Sequence, residues 1–242
     1  MLKHFAVKVE RLAADRPVFL AFLVFLAATL IVIPISLPFY LNDTRDFLMN
    51  VVAEAHGTVF DLLIIGWFLL WINRIAERRV RNNRYREEID DYLGWKSQEA
   101  THRIAGNIRR LNRNGVKEQM RLTEAYLFGA NLAGACLKNA DLWGANLEGA
   151  ILREAALAGT NLAGANLEGA DLERADLTGA DLRGATLKEA DLERANLTGI
   201  DLRGSSLMSA DLQYANLERA NLERANLTGA NLRGANLSHA DL

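Results

Sequence analysis

Disulfides and zinc fingers are excluded at the outset, because Cys136 is the one cysteine in 242 residues and both need several. The common signatures of catalysis are missing too. There is no P-loop, nucleophile motif or GxGxxG, and each glycine in the second half belongs to a repeating period rather than a phosphate-binding loop. His102 and His239 have no partner nearby at metal-ligand spacing. These absences predict a protein that is not an enzyme and holds neither metal nor cofactor. Charge is absent from one long stretch, residues 17–41. A bilayer core is crossed by about twenty apolar residues, so that stretch reads as a membrane span.

What is present is a ladder. A leucine stands at every fifth residue from Leu122 to Leu242. Alanine stands two residues before almost every one, from Ala125 to Ala240, the exceptions in that span being Thr160, Ile200 and Ser205. Asn or Asp usually separates the two, and Gly often follows two residues after the leucine, as at Gly134 and Gly184. A period of five matches neither the helical 3.6 nor the strand period of 2. Within one unit, however, Ala and Leu are two apart and point the same way in extended chain, with Asn or Asp pointing outward. A corner must follow, and Gly, Asn and Asp supply it. Short sides and corners make a solenoid with a narrow interior that admits alanine and leucine.

The units A-N-L-A-G, A-D-L-E-R and A-N-L-T-G resemble those of the pentapeptide-repeat family. The resemblance implies a right-handed quadrilateral β-helix over 122–242, four units to a coil and roughly 29 Å tall at the strand spacing. The residues alone leave the number of sides open. Residues 170–189 and 190–209 are close copies at a shift of twenty, whereas ANLTG at 195–199 recurs at 225–229, a shift of thirty. Each coil touches only its neighbours, so both ends need covering. Leu242 falls in mid-unit, which predicts an open final coil.

The first half reads as a helical membrane anchor. A basic start, 1–16, precedes the first transmembrane helix, 17–41, which is too long for a secretory signal and lacks a cleavage site. A short external connector, 42–54, leads to a second transmembrane helix, 55–73. Lys and Arg flank both spans while the connector has only Arg45, which places both termini in the cytoplasm. The expected setting is a bacterial inner membrane. Residues 1–121 hold 18 Lys+Arg against 13 Asp+Glu, net +5, and 122–242 hold 10 against 17, net −7, summing to the −2 of the chain. Glu54, His56 and Asp61 are the intramembrane polar residues, and such groups can serve a proton or ion relay or pair within an oligomer. Residues 74–121 form a helical linker with candidate breaks at Gly94 and Gly106-Asn107. Its stretch YREEIDDYLGWKSQEATHRIAGNIRRLNRNGV is similar to segments that precede the repeats in membrane-bound pentapeptide proteins. It is expected to cap the solenoid where Tyr126, Phe128 and Trp143 point outward.

Function should lie where the ladder departs from its rule. The outward carboxylates, such as Asp141 and Asp171, belong to the period and stand solvated on a convex surface. Trp143, Ile151, Met208 and Tyr214 do not, and are the candidate interaction residues. The first reading is a membrane-anchored scaffold presenting a cytoplasmic solenoid to a protein partner. A DNA mimic that modulates a topoisomerase is the second, weakened by Glu-Arg pairs such as Glu193-Arg194. A transport or channel subunit using Asp61 is the third. Expected partners are protein, membrane lipid through the two spans, and a second copy through the hairpin or the open last coil. Direct binding of nucleic acid is not expected, since no motif for it occurs.

Overall fold

The computed structural model describes residues 46–116 and 119–242, so the expected basic start, 1–16, and first span, 17–41, lie outside the described residues. The chain divides into two compact units, Met1–Val80 and Arg81–Leu242.

Helix α1 runs Asp46–Tyr92. It absorbs the expected connector from residue 46 onward, the whole of 55–73 and the first part of the linker, because all three prolines precede it. The connector is therefore largely helix rather than loop. Among the described residues no helix is long and apolar enough to cross a membrane. The reason is visible in α1: between Asp61 and Arg74 only twelve residues lack charge. Those span about 18 Å of helix, against the ~30 Å hydrocarbon thickness. These residues do not support the expected transmembrane hairpin. Leu62, Ile65, Leu69 and Leu70 are nonetheless more than half exposed, and at i, i+3, i+7 and i+8 they share one side of α1.

Helix α2 runs Gln98–Arg113. Ser97 opens it, its Oγ accepting from Ala100 N at 3.1 Å. Glu99 in the first turn and Arg110 and Arg113 in the last complement the helix dipole. Gly94, at φ +84°, does break the chain between α1 and α2. Gly106 and Asn107, expected as a second break, lie inside α2 instead. A mid-helix glycine costs about 1 kcal/mol, and burial of Ala100, Ile104, Ala105, Ile108 and Leu111 on one face outweighs it. The last turns of α1 lie along α2: Asn114 Nδ2 donates to Asn82 Oδ1 at 2.7 Å, and the Arg110 guanidinium sits 5.6 Å from the centre of the Tyr85 ring.

The repeats form the solenoid foreseen. Every bridge joins residues twenty apart in parallel, from Arg121 with Asp141 to Asn221 with Asp241, so a coil is four units and has four sides. Each corner closes on a bond from the Ala N–H to the Leu carbonyl three residues back, as Ala145 N to Leu142 O at 3.0 Å. Such a turn places its third residue at positive φ, and Gly holds the position at Gly144, Gly179 and elsewhere, while Glu124, Arg194 and Arg219 hold it without Gly. The Asn or Asp of each unit fastens the same corner: Asn146 Oδ1 accepts from Glu148 N at 3.0 Å and Asp191 Oδ1 from Glu193 N at 2.9 Å. The three departures from alanine still point inward. Thr160 and Ser205 satisfy their buried hydroxyls by donating to Leu157 O and Leu202 O, each at 2.7 Å.

Candidate functional site

Twenty-residue register sorts the outward side chains into four columns. One runs Asp141, Asn161, Asp181, Asp201; the next Tyr126, Asn146, Asn166, Thr186, Ser206; the third Asn131, Ile151, Asp171, Asp191, Asp211; the fourth Cys136, Ala156, Asp176, Asn196, Asn216. The four candidate interaction residues are all exposed, but the register separates them. Trp143 belongs to the first face, Met208 to the second, and Ile151 and Tyr214 to the third. Even that last pair is three coils apart, ~14 Å at the strand spacing. No single composite patch results.

Tyr214 is also less free than its exposure suggests. The Arg194 guanidinium lies 5.8 Å from the centre of its ring. A methyl group placed on Gly234, one coil on, would come within 2.6 Å of the ring. Tyr214 thus lies flat across the coil below it.

Many outward polar side chains are held by contacts within their own unit or with the neighbouring coil. On the fourth face Asn196 Nδ2 donates to Thr178 Oγ1 and Asn216 Nδ2 to Thr198 Oγ1, each at 2.9 Å. On the third, Arg153 pairs with Asp171 at 3.0 Å and with Glu173. On the first, the Arg183 guanidinium beside Asp181 holds that carboxyl below its usual range, and Arg203 does the same for Asp201. Lys188 donates to Glu168 at 2.8 Å, and this bond, with Glu189 beside it, raises the Lys188 ammonium. Part of the acidic array is therefore paired charge, while Asp176, Asp191 and Asp211 have no basic partner among the described residues.

Of the intramembrane candidates, Asp61 is exposed and His56 half-buried on α1. Glu54 lies two turns before Asp61 on the same helix, and its side chain lies outside the described residues. Among the described residues no group of three His, Cys, Asp or Glu side chains is placed to hold a metal ion.

The junction between α2 and the first coil holds residues that the sequence reading did not single out. Asn112 Oδ1 accepts from Cys136 N at 2.7 Å while its Nδ2 donates to Cys136 O at 3.0 Å. Thr101 Oγ1 donates to Tyr126 O at 3.1 Å. Tyr126 and Phe128 stack with centres 6.2 Å apart; Tyr126 is half-buried, while Phe128, like Trp143, stays exposed. Between these two fastenings lies a cavity of about 170 Å³, bounded by Gln98, Thr101, His102, Ala105, Arg109, Phe128, Gly129, Ala130 and Asn131. The sequence does carry a signal for the cap: apolar residues of α2 recur at helical spacing just before the ladder starts. It carries none for Asn131, whose unit reads like any other.

The family described as pentapeptide repeats matches in eight copies over 118–144, 141–179, 165–204 and 205–242, which together cover just over half of the 242 residues. Among solved structures the chain is similar to HetL, a pentapeptide repeat protein involved in heterocyst differentiation regulation in the cyanobacterium Nostoc sp. strain PCC 7120. That match has 39% identity over 52% of this chain and 71% of HetL, with a TM-score of 0.29. A pentapeptide repeat protein of the Arabidopsis thaliana thylakoid lumen matches at 30% identity over 53% of this chain and 72% of its own, TM-score 0.23. QnrB1, a plasmid-mediated fluoroquinolone resistance protein, matches at 18% identity over 52% and 75%, TM-score 0.32. No curated protein sequence matches the chain. With the period, the four-sided coil and the matched copies in agreement, the chain belongs to the pentapeptide-repeat family.

Proposed function

We propose that the protein is a membrane-anchored scaffold whose cytoplasmic solenoid engages another protein. One observation carries the reading. On a lattice where many outward polar groups are held by their own unit or a neighbouring coil, Trp143, Ile151 and Met208 stand exposed with no such role. Apolar side chains left in water on a rigid frame are what a partner surface consists of. The anchor rests on the uncharged run 17–41, with the exposed apolar part of α1 and the arginines after it as its second element. Arginines near a membrane surface contribute about 1 kcal/mol each toward anionic lipid. A second copy of the chain is one candidate partner.

Two arms test the proposal. The full chain should stay in the membrane fraction after alkaline carbonate washing, and release into the supernatant would end the anchor. Photo-crosslinking residues placed at 143, 151 and 208 should each be tested for a trapped protein, and at least one should trap a partner while a crosslinker at Ala158 should not. Equal labelling from all four positions would end the surface assignment. The topoisomerase-modulating reading fits the fold, but no observation favours it over the scaffold, and Arg153, Arg183 and Arg203 neutralise some of the carboxylates a DNA mimic would display. A relay through Asp61 predicts proton flux in liposomes that Asp61→Asn abolishes.

A further inference from the structure

The edge of the first coil has a defined hydrogen-bonding demand. At each bridge the outward residue turns its own N–H and C=O toward the preceding coil: Ile151 N donates to Ala130 O at 2.9 Å, and Ile151 O accepts from Leu132 N at 2.8 Å. Residues 126, 131 and 136 of the first coil therefore turn theirs toward α2. At Cys136 the Asn112 amide supplies both partners, acceptor at 2.7 Å and donor at 3.0 Å, so one side chain replaces a missing strand. At Tyr126 the Thr101 hydroxyl supplies the donor. Asn131, between them, is exposed. Among the described residues neither its N–H nor its C=O has a partner.

We infer that the cavity beside Asn131 is a receptor for the free C-terminal carboxylate of an extended peptide with an apolar last residue. The main chain of Asn131 offers one donor and one acceptor, the pair that a parallel strand uses. Arg109 is exposed, has no acidic partner among the described residues, and borders the same cavity. A guanidinium beside a free N–H is a two-point match for a carboxylate. His102 directs Nδ1 at Gln98 O, 2.6 Å away, so the bonded nitrogen donates and the other is left for the cavity. Phe128, Ala105 and Ala130 form an apolar wall. A chain end fits better than a passing strand, because Thr101 and Asn112 already occupy the edge on either side. Capture of a C-terminus by main-chain groups is a recognised mode of peptide binding. The inference rests on the capped edge and needs no membrane, so it can fail while the anchor stands.

The test uses the full-length chain and two dansylated probes, Gly-Ser-Gly-Ser-Phe as the free acid and as the C-terminal amide. Fluorescence anisotropy should show the free acid binding at least about tenfold more tightly than the amide, the scale of a lost charge-assisted bond. Arg109→Ala should remove that preference, and Phe128→Ala should weaken both probes. Hydrogen exchange at the Asn131 amide should slow with the free acid present and not with acetate. Equal binding of acid and amide, retention of the preference in Arg109→Ala, or no binding by either probe overturns the assignment. Both substituted residues are exposed, and an unchanged melting temperature confirms that each variant folds.

Discussion

The first and last coils of the solenoid present the same inward side chains in different surroundings. Leu122, Ala125 and Leu127 are fully buried, with α2 packed over them. Leu227, Leu232 and Leu237 face the same interior yet are only partly buried. The repeat does not make this difference, since its residues are identical. What differs is whether something apolar lies on both sides of the leucine. A ladder position thus has no fixed worth; its contribution is set by its neighbours, as expected of a fold in which each repeat meets only the next.

The largest effect should come from breaking that contrast directly. Leu167→Ala, in a coil covered on both sides, should cost the 2–5 kcal/mol typical of a buried leucine, that is about 3.5 kcal/mol at mid-range. Leu237→Ala should cost about half of that or less, because its cavity opens to water. Denaturant unfolding of the two variants measures both. Equal losses would show that the cap and the covered coils do not set the energetics.

The cap can be loosened without touching a leucine. Asn112→Ala leaves the N–H and C=O of Cys136 without their partners, a loss of about 1–2 kcal/mol for a part-buried pair. Amide exchange should quicken at Cys136 and remain unchanged by the sixth coil. Asn114→Ala, whose bond to Asn82 is exposed, is the control and should cost far less.

How much of this was legible follows from how each feature is specified. Inward Leu and Ala, outward Asn and Asp, and the corner at Gly134 or Gly184 all follow from residue chemistry at a fixed spacing, so the solenoid was readable unit by unit. The number of sides was not. A corner is local, whereas the pairing of Asp171 with Asp191 depends on the sum of four corners. The single run of helix from Asp46 to Tyr92 was hidden for another reason: charge suggested a connector, but nothing in residues 46–54 stops a helix. Trp143, Ile151, Met208 and Tyr214 were legible as irregularities, yet only the register reveals that they occupy different faces. The Asn112 and Asn131 roles required the cap in place, because in sequence each is an ordinary asparagine.

Corners offer a smaller perturbation. Arg219 holds a φ of 59° where many units have Gly, and its exposed guanidinium lies 3.7 Å from the Glu218 carboxylate. Arg219→Gly should stabilise by up to about 0.5–1 kcal/mol, since the left-handed conformation strains a side chain more than the added freedom of unfolded Gly costs. Gly179→Ala is the reverse experiment. Nothing lies within 4 Å of the added methyl, so its loss of about 1 kcal/mol reports backbone strain alone. A null result at both would mean the corners relax freely.

The smallest effect distinguishes one face of the array from another by protonation. Asp181 and Asp201 bond to Arg183 and Arg203 at 2.6 and 2.7 Å, and those bonds lower both carboxyls from the ordinary 3.8. A lowered folded value means the unfolded chain takes up the proton first. The stabilisation is therefore complete above 3.8 and is lost as pH falls through the lower folded values. The fourth face, where Asn196, Asn216 and Asn236 replace most carboxylates, has little to lose in that range. Melting temperatures followed from about pH 5 to about pH 3 should therefore fall less in an Asp181→Asn, Asp201→Asn double variant than in the parent. The gap should be modest, because the pairs lie partly in solvent and are screened. It should also shrink when salt is raised, since the Debye length falls to ~3 Å at 1 M. Parallel profiles at low salt would mean that the arginines fix the outline of the first face without contributing to its stability.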